Sequence, residues 1–220
     1  MKIDNCSFPE DLLYDTENFT WISNKGKKTV TIGITVIMTS IAGKLSSIKL
    51  KPVGTKLEKG KSCGVLESVK YFGVVRTPVS GTIVQINKSL IDKPKLANDF
   101  PYTEGWLVKV EPLDIGDLKA LETIENCHDK MRLAIQKLRV RCFAAFPDHE
   151  MFEIGVECSA TLAKLDELLE KIPAGEVIHI VSDDPTADLE MLRWSEQKAQ
   201  SLLEIRKEGN LFHFIVKKVR

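Results

Sequence analysis

The chain has 220 residues, 43% hydrophobic and 28% charged, with Lys+Arg and Asp+Glu both at 31. That length fits one large domain or two ordinary ones, and the composition excludes a disordered chain. Zero net charge excludes a nucleic-acid binder held by bulk charge; no apolar run spans a bilayer, and the N-terminus lacks a basic-then-apolar signal, so a cytoplasmic protein is expected.

Val30, Ile32, Ile34 and Val36 alternate with Thr31, Gly33 and Thr35, the period of a half-buried strand. Short β-rich runs follow at 47–51, 63–69, 74–79, 82–87 and 106–110, punctuated by Pro52, Gly54, Gly73, Pro78 and Gly81. Such closely spaced strands suggest a small sandwich or barrel. From 116 to 145 the pattern changes. Leu121, Ile124, Met131, Ile135, Leu138 and Cys142 fall at helical spacing, which predicts a connector helix, capped by Asp114 or Asp117 and ended by Pro147. Residues 150–220 read β-α-β-α-β-β, with a hairpin signal at Glu208-Gly209-Asn210.

The charge is divided. Residues 1–115 carry 16 basic and 12 acidic side chains, and residues 116–220 carry 15 and 19. Opposite signs suggest two domains with different partner surfaces. The expected organisation is residues 1–115, a helical linker over 116–149, and residues 150–220.

Five cysteines, at 6, 63, 127, 142 and 158, include no Cys-x-x-Cys. Their odd number and scatter argue against a disulfide framework or a structural zinc site. Cys127-His128 with Cys142 and His149 fits no common ligand spacing, so no metal is expected. Cys63 reads as core, His179 and His213 as structural, and Asp183-Asp184 as a helix cap.

Two residues carry chemistry. Lys70 falls between two strands, where a turn lysine is exposed and sterically free for acylation by an enzyme that encloses it. A cofactor amide-linked there gains the reach of the lysine stem. The alternative is an ordinary solvated lysine. Cys158 lies between a predicted strand and a predicted helix, where free backbone N–H groups and the helix dipole favour thiolate. The alternative there is a buried, inert cysteine.

Residues 19–114 resemble the H protein of the glycine cleavage system. The resemblance rests on Thr31-Ile-Gly-Ile-Thr35, Val53-Gly-Thr-Lys-Leu57, Glu67-Ser-Val-Lys70, Pro78-Val-Ser-Gly81, Asn98 with Pro101-Tyr102, and Glu104-Gly-Trp-Leu107. It implies a hammerhead or barrel-sandwich hybrid lipoyl domain, covalent lipoate on Lys70, and Glu67 as part of what the lipoylating enzyme reads. The implied partners are a lipoate ligase or lipoyl/octanoyl transferase, glycine decarboxylase, the tetrahydrofolate-dependent aminomethyltransferase and dihydrolipoyl dehydrogenase. The protein would then be a carrier of an aminomethyl group rather than an enzyme. The residues after Lys70, Tyr71-Phe-Gly-Val-Val, depart from the small polar residues usual in that family. Lys44, Lys49, Lys51, Lys56, Lys59 and Lys61 make the preceding face basic, either for docking or as a solvated surface. Biotin attachment normally has methionines flanking the lysine, and Val69 and Tyr71 stand there instead.

Residues 150–219 resemble the TusA-like sulfur carriers, through Gly155-x-x-Cys158, Gly175-Glu-Val-Ile, Ser182-Asp-Asp-Pro185 and the closing hairpin. The resemblance implies a two-layer α/β sandwich, so the expected fold class is α+β in two domains. It also makes Cys158 a candidate persulfide carrier. Both prolines of that family's Cys-Pro-x-Pro motif are absent from Cys158-Ser-Ala-Thr161, where Ser159 or Thr161 is available as a replacement cap. Joined to a lipoyl arm, Cys158 suggests a rival function, sulfur trafficking with sulfur-transfer and sulfur-oxidising partners. A third is a non-catalytic interaction protein with a degenerate second domain. No reading calls for nucleic acid or membrane.

Overall fold

The computed structural model describes residues 1–25 and 28–220. They divide into two compact units, Met1–Cys142 and Phe143–Arg220. Among the described residues no helix is long and apolar enough to cross a membrane.

The N-terminal unit opens with the short strands β1 (Lys2–Ile3), β2 (Cys6–Ser7), β3 (Leu13–Asp15) and β4 (Thr20–Ser23). Next come β5 (Val30–Ile34), helix α1 (Val36–Ala42), β6 (Leu45–Leu50), β7 (Lys56–Leu57), β8 (Ser62–Ser68), β9 (Phe72–Arg76) and β10 (Gly81–Ile86). The single-turn helices α2 (Ser89–Asp92) and α3 (Leu96–Asp99) precede β11 (Val108–Pro112), a 3-10 turn (Ile115–Ala120), β12 (Glu122–Thr123) and helix α4 (Ile124–Lys137).

Seven strands form one antiparallel sheet in the order β12-β3-β4-β5-β11-β10-β7, and β6-β8-β9 form a second. Val30, Ile32 and Ile34 point to one side of β5, as their alternation predicts. With Val108, Val110 and Ile83 they meet Leu45, Ile48, Leu66 and Val75 of the smaller sheet in a shared core. Val36, expected to extend β5, instead begins α1. Thr35 accepts the Met38 N–H as its cap, and Gly43 ends the helix at φ +72.

The large sheet is packed on its other side too. Tyr14 and Trp21 lie there with Ile3, Cys6, Phe8 and Ile37, and α4 closes this second core with Ile124, Cys127, Met131 and Ile135. This corrects the expected linker over 116–149. Burying one large apolar side chain is worth about 1.5–3 kcal/mol, so Ile124, Met131 and Ile135 hold α4 in the N-terminal unit. The helix is also shorter than expected. Asp114 accepts the Gly116 N–H and caps only the 3-10 turn, residues 122–123 pair with β3, and Arg139 turns left-handed (φ +52) well before Pro147. The expectation of no disulfide fails at one pair: Cys6 and Cys142, 136 positions apart, are bonded. Spacing patterns see local motifs only. This pair meets because the β1–β2 hairpin and the segment after α4 cover the same core.

The C-terminal unit runs β13 (His149–Glu153), α5 (Cys158–Lys171), β14 (Val177–Ser182), α6 (Ala187–Lys198), β15 (Ser201–Glu208) and β16 (Leu211–Lys217). This is the β-α-β-α-β-β order read from the sequence. The sheet order is β13-β14-β16-β15, with β13 parallel to β14 and the other pairs antiparallel. Ile178, Ile180, Phe212, Phe214 and Val216 pack against Leu165 and Leu169 of α5 and Met191 and Trp194 of α6. Alternation sends His179 and His213 to the other face. There their rings stack 5.2 Å apart, with Phe143 4.5 Å from His179.

Candidate functional site: a lysine turn and a buried thiol

Lys70 stands in the turn between β8 and β9, exposed, with Val69 fully exposed beside it. The turn is fastened from below. Ser68 N–H donates to the Tyr71 carbonyl (2.8 Å), the Ser68 hydroxyl donates to the Ala42 carbonyl at the end of α1, and Lys70 N–H donates back to Ser68 Oγ (3.2 Å). Asn98 holds the other side of this floor: its amide donates to the Gly43 carbonyl (2.8 Å) and its carbonyl accepts from Leu45 N–H (2.9 Å). The Lys70 side chain lies over Gly43. A Cβ on Gly43 would stand under 3.0 Å from Lys70 Cε, so the bare glycine makes the trough in which the stem rests.

This cradle is the observation that tests whether the chain fits a group on Lys70. The attachment point is fastened by hydrogen bonds and the stem lies against a glycine, while the tip is open to an incoming enzyme. Glu67, three residues before Lys70, pairs with Lys49 (3.2 Å). Hydrogen bonds from Lys49 and then Ser47 hold its carboxyl below the usual range. It is therefore ionised at the edge of the turn. Of the basic run, Lys49 is engaged by Glu67 and Lys59 by Asp117. Asn98 and Ser68 were visible only as parts of motifs, and Gly43 was not read at all. A glycine just after an apolar helical run was the available signal for Gly43.

Cys158 is the first residue of α5, as predicted, but its surroundings reverse the expected chemistry. Its side chain is 3% exposed. Burial, the Glu190 carboxylate that takes the thiol's hydrogen bond, and Asp184 push the thiol up to about 12. These outweigh the helix dipole. Neither Ser159 nor Thr161 caps the helix: Glu157 is the N-cap without a side-chain bond, and Cys158 N–H donates to Asp184 Oδ2 (2.8 Å). Asp183 takes the Gly155 N–H (2.7 Å), so the loops after β13 and β14 are tied together. Asp184 also accepts from Thr186 N–H, the main reason its carboxyl is held low, and so caps the turn before α6.

A thiol at about 12 leaves on the order of one thiolate in ten thousand at pH 8, and only thiolate alkylates. Native protein at pH 8 should therefore take up no iodoacetamide at Cys158, whereas urea-unfolded, unreduced protein should gain three adducts, at Cys63, Cys127 and Cys158. Peptide mass mapping checks this. An adduct on the Cys158 peptide of native protein would contradict the buried-thiol account. Burial likewise raises Cys63 to about 12 and Cys127 to about 11. Cys142 is in the disulfide, and His149 pairs with Glu176 (2.6 Å).

Residues 12–133 match the family model described as glycine cleavage H-protein, and residues 154–218 match that of sulfurtransferase TusA. Glycine cleavage system H protein 2 of Aquifex aeolicus is 41% identical over 138 residues, 62% of this chain and 86% of that protein. Probable glycine cleavage system H protein 2 of Sulfurisphaera tokodaii is 37% identical over 143 residues, 64% of this chain and 97% of that protein. A glycine cleavage system H protein from Mycobacterium marinum, solved by crystallography, aligns with a TM-score of 0.50 at 31% identity. The alignment covers 56% of this chain and 99% of that one.

Proposed function

The chain belongs to the glycine cleavage H-protein family, and on that premise we propose that it carries lipoate on Lys70. Members of the family are non-catalytic carrier subunits with covalently attached lipoate. The observation that carries the assignment of Lys70 is its exposed tip over the Gly43 trough, on a turn pinned by Ser68 and Asn98. Joined through its carboxyl to Lys70 Nζ, the group supplies a dithiolane that takes up and releases a one-carbon amine with two electrons. The chain's own part is to present the amine, hold the turn still and offer ionised Glu67 to the attaching enzyme. Glycine decarboxylase, the aminomethyltransferase and dihydrolipoyl dehydrogenase follow as partners. On the same reading the N-terminal unit is a lipoyl-type barrel-sandwich hybrid and the C-terminal unit a two-layer TusA-like sandwich.

Peptide mapping of protein from lipoate-replete cells of its own host tests the attachment. One lipoyl increment on the Lys70 peptide, absent from Lys70→Arg, is expected; an unmodified Lys70 would overturn the reading. The lipoylated protein should then support exchange of labelled bicarbonate into glycine by the decarboxylase. The match of residues 154–218 favours one second reading, sulfur passed from Cys158 to the lipoyl group. Its buried thiol, held protonated, counts against it, and persulfide transfer lost in Cys158→Ala is the result that would establish it.

A further inference from the structure

Lys70 is bordered by an apolar ridge. Strand β9 is the edge of its sheet, pairing only with β8 among the described residues. Its alternation turns Phe72, Val74 and Arg76 outward and Val75 inward. Phe72 is 73% exposed and Val74 42%, and with fully exposed Val69 they line the approach to the lysine. Across the strand pairs, the same outer face carries Val65 and Glu67 of β8 and Lys49 of β6. Residues 44–76 hold eight Lys or Arg and only two Glu.

Three large apolar side chains on one edge are what a binding site looks like before its partner arrives. Isolated exposed apolar residues need no such explanation. Here the three flank one reactive amine. An enzyme that acylates Lys70 has to draw Nζ into its own active site, so it must cover everything within a lysine's length of the turn. Enzymes that meet only the far end of a bound group have no such need.

We propose that Val69, Phe72 and Val74 form the docking ridge for the enzyme that acylates Lys70, and that the mouth of that enzyme is apolar with an acidic rim. The proposal rests on Lys70 being the attachment site. The apolar contacts give residence, and the basic surroundings give orientation and speed of encounter, which salt weakens.

Unmodified protein, the purified host lipoate ligase, lipoate and ATP are the components of the test. Phe72→Ser should raise the KM for the protein substrate by about tenfold and leave kcat within about twofold, the signature of a lost ground-state contact. Phe72→Leu should recover most of the loss. Leu113→Ser, at an exposed apolar residue away from the ridge, should behave as wild type. Raising NaCl from 50 to 500 mM should lower wild-type kcat/KM by about tenfold. Thermal melts of the variants confirm folding. An unchanged KM in Phe72→Ser overturns the ridge while the Lys70 assignment stands. A fall in kcat alone overturns it as well, because Phe72 would then position the lysine rather than dock the enzyme. No incorporation into wild type overturns both.

Discussion

Reducing the Cys6–Cys142 bond should lower the stability of the N-terminal unit by about 3–5 kcal/mol. The bond closes 136 positions of chain, nearly the whole unit. A cross-link of that span removes conformational freedom from the unfolded chain in proportion to the logarithm of the loop, which gives about 5 kcal/mol as a ceiling. It also secures both flaps of the second core, the β1–β2 hairpin and the segment after α4, over Trp21 and Tyr14. Hydrogen exchange of the slow β4–β5 amides checks the expectation. They should exchange by about a thousandfold faster once the bond is reduced, and the Cys6→Ala/Cys142→Ala double variant should match the reduced protein. Equal protection in both states would show that the packed core alone sets the stability.

Gly33→Ala should cost about 3 kcal/mol or more. Gly33 faces Trp21 across the β4–β5 ladder, and a Cβ there would stand under 3.0 Å from three atoms of the indole. The ring has nowhere to go. It is buried, and its N–H donates to the carbonyls of Ile34 (3.0 Å) and Pro101 (3.1 Å). Overpacking of this kind typically costs about 1–3 kcal/mol, and breaking the indole's hydrogen bonds adds about 1–3 kcal/mol. Gly60→Ala is the comparison, since Gly60 has φ +78 and open space around it. Only the left-handed backbone resists there, at about 1–2 kcal/mol. Urea denaturation of both variants checks the difference. Adding Trp21→Phe should restore part of the loss in Gly33→Ala and none in Gly60→Ala, a coupling expected only between touching side chains.

The motifs behind the family resemblance acquire physical meanings here. Gly33 makes room for Trp21, and Asn98 bridges Gly43 and Leu45. Gly81 sits where a Cβ would strike the Glu111 carbonyl of β11, and Gly105 where it would strike the backbone of Ala97. Strand alternation at Val30, Ile32 and Ile34 and the hairpin at 208–210 were legible because each is a local pattern. The strands β1 to β4 were not, being two to four residues long with no period to read. The destination of α4 was hidden for another reason. An amphipathic stripe says that a helix packs, not against what. At the candidate sites, the position of Lys70 in a turn between two strands was legible, while its proposed role came from the family resemblance. The trough beneath it and the Glu190 carboxylate beside Cys158 depend on residues 27 and 32 positions away, which only folding brings near.

The meeting of residues 6 and 142, with Cα atoms 5.0 Å apart, has a consequence for gene architecture. A domain whose path nearly closes on itself behaves like a bead with its hole at one point: chain runs in and out at the same place. Domains of this kind accept fusion readily, because a new coding segment lengthens the thread without pulling on the bead. The second unit begins at the next residue, Phe143, and its match to the sulfurtransferase model begins at residue 154. Because both lie in one chain, each copy of the carrier is made with one copy of its companion.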